Sequence, residues 1–262
     1  MYFLKRKKKM PRVINYPKLF KKLEEGRPEH ALFAPSSSDK WLNCQGYYHA
    51  TKDLPGTKPG RAALRGTAAH DLLEQCLLQN KVPDALSHDD ELINWVSYAI
   101  DYFNSYKVLV PTTQIFPEVY FPWLKVSGGT IDGLGISPKE LMIADLKTGN
   151  QPVEVEGNTQ LLNYAIASRK HLGKKPLYRL VIIQPGGVHR DGPVREWLVS
   201  DKDLNTFEER ATTAIVTNLI GGPRKAGDHC KWCKAEALCE VRADYALEKI
   251  ELNLRNDFLE EA

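Results

Sequence analysis

The stretch ELMIADLK at residues 140–147 constrains the fold more than any other part of the sequence. Its four consecutive apolar residues do not alternate with polar ones, which is typical of a strand that is buried on both faces. Such a strand belongs to a sheet that helices cover on both sides. The charges that end the strand, Asp145 and Lys147, are costly there unless they are paired or bind a metal ion.

The periodicity of the remaining sequence predicts those helices and the other strands. Apolar residues recur at helical spacing before residue 110, and β-branched and aromatic residues then mark several strands. The pattern predicts helices at Arg61–Gln79, 89–106, 158–171 and 202–219, strands at 113–126, 130–136, 140–147, 177–184 and 194–199, a turn at Ser127–Gly129, and short helices at most within residues 11–60. This order predicts an α/β fold with a mixed β-sheet that is packed on both faces.

Composition excludes several classes of protein. With 42% hydrophobic and 26% charged residues, the chain has the balance of a globular protein rather than a disordered one. No apolar run approaches the roughly 18–20 residues that span a bilayer, and no apolar segment follows the basic start as in a secretory signal. Five cysteines in 262 residues are too few, and odd in number, for a disulfide scaffold, which predicts a cytoplasmic location.

Charge is unevenly distributed along the chain. Residues 1–22 hold nine Lys or Arg and no Asp or Glu, whereas the rest of the chain has 27 basic and 33 acidic residues. A basic arm on a mildly acidic body is typical of contact with a phosphate backbone, and a solvated tail has the same composition. Both interpretations stay open, and the sequence predicts a basic arm at 1–29 before a single domain at 30–262.

A set of carboxylates and a lysine lies in the predicted meander of strands. Asp145 and Lys147 are two residues apart, so their side chains share a face of the strand, and Asp132 can lie across from them in a hairpin. Two carboxylates at strand ends form an oxygen site suited to Mg²⁺ or Mn²⁺, and a nearby ammonium group can position an attacking water. The alternative is a plain ion pair next to an Asp-Gly turn.

Two helical pairs accompany this set. His70 and Glu74 are four residues apart on one predicted helix, and Gln160 and Tyr164 have the same spacing on another. Residues at this spacing lie on the same face of a helix. Either pair alone is more typical of a surface or core contact than of catalysis.

Taken in order, these motifs resemble the RecB-like branch of the PD-(D/E)XK nuclease superfamily. The string is G-T-x-x-H-x-x-x-E, then G-x-x-D-G, then D-x-K-T-G, then Q-x-x-x-Y, over residues 66–164. The resemblance implies a restriction-endonuclease-like core and the following site residues: His70, Asp132 and Asp145 as metal ligands, Lys147 as the catalytic lysine, and Gln160 and Tyr164 completing the pocket or contacting DNA. Asp145 stands where the family more often has Glu. Glu74 and Glu118 are expected to be a helix-face partner and a strand-edge charge.

A cysteine cluster follows near the end of the chain. Three cysteines with the spacing C-x2-C-x5-C need a fourth ligand to complete a zinc or iron–sulfur site, and spacing alone does not decide between the two. They are Cys230, Cys233 and Cys239. The candidates for the fourth ligand are Cys44, His229 and Cys76, of which Cys76 lies on the apolar side of a predicted helix and is typical of a buried hydrophobe.

The resemblance also bears on these cysteines. RecB-like nucleases of the CRISPR-adaptation and AddB types have one cysteine before the nuclease motifs and three after, and these hold a [4Fe-4S] cluster. Cys44 followed by the three later cysteines matches that layout. The segment from Ala34 to Cys44 is similar to the start of phage- and prophage-encoded members, although Gln45 stands where many have Pro. The resemblance therefore implies a site for Mg²⁺ or Mn²⁺ and, separately, a [4Fe-4S] cluster, with zinc as the alternative to the cluster. The cluster would be a metal staple that joins the helical N- and C-terminal parts of the chain.

The function expected from the resemblance is that of a metal-dependent DNA nuclease. It would be an exonuclease that acts on single strands or DNA ends in phage-type recombination, replication or DNA processing. DNA is then the main partner, recombination or replication proteins are further candidates, and no membrane is involved. Two alternatives stay open: a non-catalytic nucleic-acid-binding or assembly module with a structural metal site, and a zinc-binding regulator, which leaves the carboxylates unexplained.

Overall fold

A five-stranded mixed β-sheet forms the centre of the computed structural model, which describes residues 14–28, 31–56, 58–82 and 89–260. The strands are β1 (Gln114–Leu124), β2 (Ser127–Ile136), β3 (Glu140–Leu146), β4 (Leu177–Ile183) and β5 (Val194–Ser200). They lie in chain order across the sheet. β3 and β4 are parallel, and all other neighbours are antiparallel. The predicted mixed sheet is confirmed.

Helices cover both faces of this sheet. They are α1 (Tyr16–Glu25), α2 (Ser38–Asn43), α3 (Tyr47–Thr51), α4 (Arg61–Gln79), α5 (Asp90–Leu109), α6 (Thr159–Leu172), α7 (Asp201–Leu219) and α8 (Glu240–Glu260), with 3₁₀ turns at Pro35–Ser37, Asp228–Cys230 and Glu236–Leu238. None of the described helices is long and apolar enough to cross a bilayer.

Strand β3 divides the apolar core into two parts, as its uninterrupted apolar run predicts. All seven of its residues are buried. Leu141 and Ile143 join a core that contains residues of α2, α6 and α7, whereas Met142 and Ala144 face a core formed with α4 and α5. Because side chains alternate along a strand, Asp145 faces the same side as Ile143, which is the side of α6.

Helix α6 connects the parallel pair β3 and β4, and local sequence fixes its ends. The Asn158 side chain accepts a hydrogen bond from the Leu161 amide at 3.1 Å, which caps the first turn. Basic residues fill the last turn, where they complement the helix dipole. The helix ends at Gly173, whose φ of +83° is in the region that favours glycine. Gln160 and Tyr164 are thereby held in the first turns, above the end of β3.

The predicted turn at Ser127–Gly129 is wrong. These residues begin β2, and the turn between β1 and β2 is Lys125–Val126, because Leu124 pairs with Ser127. The two glycines serve close packing instead of chain reversal. A Cβ atom at Gly128 would lie 2.6 Å from the Tyr120 hydroxyl oxygen, and one at Gly129 would lie 2.8 Å from Tyr164.

Helix α1 lies within the predicted basic arm. Asn15 caps it by accepting a hydrogen bond from the Lys18 amide at 3.1 Å. Phe20 packs against Phe116 and Phe121 of β1, with ring centroids 5.1 and 5.7 Å away. This part of the arm is therefore attached to the sheet edge. Residues 1–13 lie outside the described residues, so phosphate contact by the start of the arm stays a prediction, as does the boundary between 29 and 30.

Candidate active site

Three side chains from different elements converge beside β2. The register pairs Pro117 with Gly133 and Val119 with Ile131, which places Glu118 of β1 opposite Asp132 of β2. Helix α4 adds His70, whose Nδ1 is 3.2 Å from Asp132 Oδ2. One ligand atom from each of His70, Glu118 and Asp132 lies within 4.8 Å of the other two, a spacing that could hold a metal ion. We call these three residues the His–Glu–Asp cluster.

Two of the three predicted metal ligands lie in this cluster, and the third does not. His70 and Asp132 are together, Glu118 joins them, and Asp145 lies outside the 4.8 Å group. Glu118 was expected as a strand-edge charge, and β1 is indeed an edge strand. Its carboxylate nevertheless belongs to the cluster. The signal that could have revealed it is the register of the β1–β2 hairpin, which the misplaced turn concealed.

The backbone at Glu118 is unusual. Its φ is +46°, a left-handed conformation that few residues other than glycine adopt. Conformations of this kind persist where the surrounding structure fixes them, and they concentrate at functional sites. The strained residue supplies a ligand atom to the cluster, which links the strain to the site.

Charge and burial shift the pKa values of the cluster. Burial raises the pKa of Glu118 to about 7, and the charge of Asp132 adds to the effect. For His70, burial alone would lower the pKa, but the hydrogen bond to Asp132 and the nearby carboxylates raise it to about 9. In the absence of a metal ion, the cluster therefore holds protons at neutral pH.

Asp145 and Lys147 form a second group on the adjacent strand. Lys147 Nζ lies 2.8 Å from Asp145 Oδ2 and donates a hydrogen bond to Gln160 Oε1 at 2.9 Å. Gln160 Nε2 donates to Asp145 Oδ1 at 2.7 Å and to the Tyr164 hydroxyl oxygen at 3.0 Å. The predicted shared face of Asp145 and Lys147 is therefore observed. We call these four residues the lysine network.

The two groups meet at Asp132 and the end of β3. Asp132 Oδ2 accepts a hydrogen bond from the Leu146 amide at 2.7 Å, which ties β2 to the residue between Asp145 and Lys147. Burial raises the pKa of Asp145, Lys147 opposes this effect, and the charge of Asp132 adds to it. Asp145 is only 3% exposed, and its Oδ2 is paired with the Lys147 ammonium group.

A buried polar clamp holds the loop that follows Lys147. Gln184 is fully buried, and its Nε2 donates to the carbonyl oxygens of Gly149 and Gln151, both at 2.7 Å. Its Oε1 accepts from the Val153 amide at 3.0 Å and from Arg195 Nη2 at 2.7 Å. Sequence reasoning missed this clamp, whose signal is a glutamine directly after an apolar strand.

The three cysteines singled out by spacing line one cavity together with Cys44. Cys44 follows α2, and the other three lie between α7 and α8, so the cavity joins segments from both ends of the chain. The cavity also has a basic wall, formed by Lys40, Arg224, Lys225 and Arg242. Such a wall complements the negative charge of thiolates.

The two other candidates for the fourth ligand differ in position. His229 lines the cavity, and its Nε2 is 2.8 Å from the Lys225 carbonyl oxygen and so donates a hydrogen bond to it, which leaves Nδ1 as the nitrogen that could bind a metal ion. Cys76 is buried among apolar residues of α4 and α5, away from the cavity. Cys44 and His229 therefore both lie where a fourth ligand to Cys230, Cys233 and Cys239 is needed.

Comparisons with known proteins add a family and distant structural likenesses. The family described as a protein of unknown function, DUF2800, matches residues 30–260. An alkaline exonuclease from Laribacter hongkongensis is 12% identical, with a TM-score of 0.35 over 78% of this chain and 93% of that one. A predicted exonuclease from Eubacterium rectale is 14% identical, with a TM-score of 0.43 over 76% of this chain and 86% of that one.

Proposed function

The chain belongs to the DUF2800 family, and we propose that it is a divalent-metal-dependent nuclease of the RecB-like type that hydrolyses phosphodiester bonds in DNA. The observation that carries the proposal is the meeting of the His–Glu–Asp cluster and the lysine network at Asp132 and the end of β3. The ordered sequence motifs support the same chemistry. We further propose exonuclease action on single strands or DNA ends, in phage-type recombination, replication or DNA processing.

The residues fit a hard divalent cation. Carboxylate oxygens are the ligands that Mg²⁺ and Mn²⁺ prefer, and Glu118, Asp132 and Asp145 supply them beside one imidazole. Lys147, whose Nζ lies 2.8 Å from Asp145 Oδ2, and His70 offset only two of the three carboxylate charges, and a buried charge is costly unless a cation compensates it. His70, Glu118, Asp132 and Asp145 would therefore hold the ion. When bound, the ion would polarise the scissile phosphate and lower the pKa of a water molecule.

Lys147 is held as a cation. Burial alone would lower the pKa of its ammonium group, but Asp145 outweighs burial and raises it. A protonated Lys147 does not accept a proton from water, so it is suited to orient a water molecule and to offset the negative charge that develops on the phosphate. Gln160 fixes the direction of this ammonium group by accepting one of its hydrogen bonds.

The test compares two lysine variants on end-labelled single- and double-stranded DNA, with Mg²⁺, with Mn²⁺ and with a chelator. Lys147→Ala is expected to reduce cleavage by about 100-fold or more, the usual loss when one preorganised donor is removed. Lys139→Ala removes an exposed lysine from the β2–β3 connection and is expected to cleave like the wild type. Wild-type cleavage by Lys147→Ala would refute the mechanism. Binding without cleavage by the wild type under every metal condition would favour the non-catalytic binding module.

We also propose that Cys44, Cys230, Cys233 and Cys239 ligate a [4Fe-4S] cluster, which would staple the two ends of the fold together. The layout of one cysteine before the nuclease motifs and three after them, gathered around one cavity with a basic wall, supports this proposal. Iron and sulfide analysis of anaerobically purified protein tests this, and stoichiometric zinc without iron would refute it.

A further inference from the structure

Two adjoining clefts lie beside the proposed reaction centre. The first contains Glu118 of the His–Glu–Asp cluster, and the second contains Tyr164 of the lysine network. Both clefts share Arg27, Tyr120 and Thr130 in their walls. They therefore form one continuous groove past the catalytic set, with Arg27 where the two clefts join.

The second cleft has the character of an anion site. Among its described lining residues, Arg27 carries the only charge, whereas the first cleft also contains carboxylates. Its remaining polar wall consists of hydroxyl groups and the backbone of Gly128 and Gly129. A wall whose charged side chain, among the described residues, is a cation favours a negatively charged ligand.

Arg27 is held in place before any ligand arrives. Its guanidinium lies 5.4 Å from the centroid of the Tyr120 ring, in a cation–π contact. Its Nη1 donates a hydrogen bond to Glu24 Oε1 at 3.1 Å, and its side chain is still 49% exposed. A guanidinium has five N–H donors, so several remain for a ligand. Because one edge of the guanidinium group is already held, less conformational entropy is lost when its other N–H groups bind a ligand.

We propose that Arg27 and the second cleft bind a phosphate group of a single nucleic-acid strand next to the reaction centre. This inference rests on the proposed function, because it assigns a substrate contact to the same site. The cleft volume of about 320 Å³ is at the lower end of pockets that hold small organic ligands, roughly 300–1,000 Å³, which suits one nucleotide unit rather than a duplex. The phosphate is either internal or terminal, and the test separates the two.

The test measures binding of a single-stranded oligonucleotide with Mg²⁺ present, in a Lys147→Ala background that prevents cleavage. Arg27→Ala is expected to weaken binding about tenfold and to reduce the slope of log affinity against log salt by about 0.7, the loss of one phosphate contact. Arg27→Lys keeps the positive charge but not the planar set of guanidinium N–H donors, and we expect an intermediate loss of affinity. Arg190→Ala is the matched control, because Arg190 is also an exposed arginine beside a carboxylate, that of Asp191, and lies outside both clefts. Its binding should equal that of the background protein.

Each outcome decides one point. Equal weakening with and without a 5′-phosphate on the oligonucleotide assigns an internal phosphate, and weakening confined to the phosphorylated form assigns a terminal one. Unchanged affinity and salt slope in Arg27→Ala would overturn the inference. If the wild-type protein cleaves DNA in the same series, that result would still support the proposed function. If Arg27-dependent binding is found but the wild type cleaves no DNA, the proposed function fails and the anion site remains.

Discussion

Binding of Mg²⁺ or Mn²⁺ to the metal-free protein should release protons, because the cluster is protonated at neutral pH. The pKa of His70 is about 9, so its imidazole carries a proton at pH 7, whereas Glu118, with a pKa of about 7, is half protonated. A metal ion binds the deprotonated ligands. Binding at pH 7 is therefore expected to release about 1.5 protons.

The sign of the pH dependence follows from the same shifts. Protons compete with the metal ion, so affinity should rise as pH rises through the pKa values of Glu118 and His70. With about 1.5 protons released, affinity increases about 30-fold per pH unit near pH 7. Well above pH 9 both ligands are largely deprotonated, and the dependence should flatten.

Titration calorimetry in several buffers of different ionisation enthalpy measures this proton release directly. The Lys139→Ala protein serves as the control, since Lys139 is exposed and is absent from the cluster, and it should release the same number of protons. Release close to zero at pH 7, or an affinity that is flat between pH 6 and 8, would refute the assignment of His70 and Glu118 as ligands.

Three further predictions address the clamp, the staple and the arm. Gln184→Met removes four hydrogen bonds at about 0.5–1.5 kcal/mol each, so we expect denaturant unfolding to show a loss of about 2–6 kcal/mol; a loss below about 1 kcal/mol would contradict the clamp. Cys44→Ala should lose the metal group measured by iron analysis and Cys76→Ala should retain it; the opposite pattern would overturn the ligand assignment. Deletion of residues 1–10 removes five positive charges, and DNA binding should weaken with a flatter salt slope; unchanged binding would identify a solubilising tail.

The sequence was sufficient to predict the part of the fold that depends on local pattern. The apolar run of β3 identifies a doubly covered strand, and the two-residue spacing of Asp145 and Lys147 predicts their shared face. Strong helical periodicity places α4 at Arg61–Gln79, as observed. In each case the pattern lies within one continuous segment of the chain, so it can be recognised without knowledge of the tertiary contacts.

The features that sequence reasoning missed depend on contacts between distant segments. Gly128 and Gly129 look like turn residues, but Tyr120, Pro35 and Tyr164 leave no space for a Cβ there, so close packing accounts for the glycines. The role of Glu118 follows from its register opposite Asp132, which cannot be assigned until the turn is placed correctly.

Backbone hydrogen bonds of the sheet position the candidate site, which explains how flexible side chains can be held in a fixed arrangement. The Lys147 amide donates to the Ile183 carbonyl oxygen at 2.8 Å, so the parallel β4 strand fixes the residue directly after β3. The Leu146 amide donates to Asp132, which fixes the neighbouring strand relative to the same point. Burying three carboxylates at this junction is costly, and His70 and Lys147 offset only part of their charge. The sheet thus holds together an arrangement of excess negative charge that a divalent cation would stabilise, and this links the fold to the proposed chemistry.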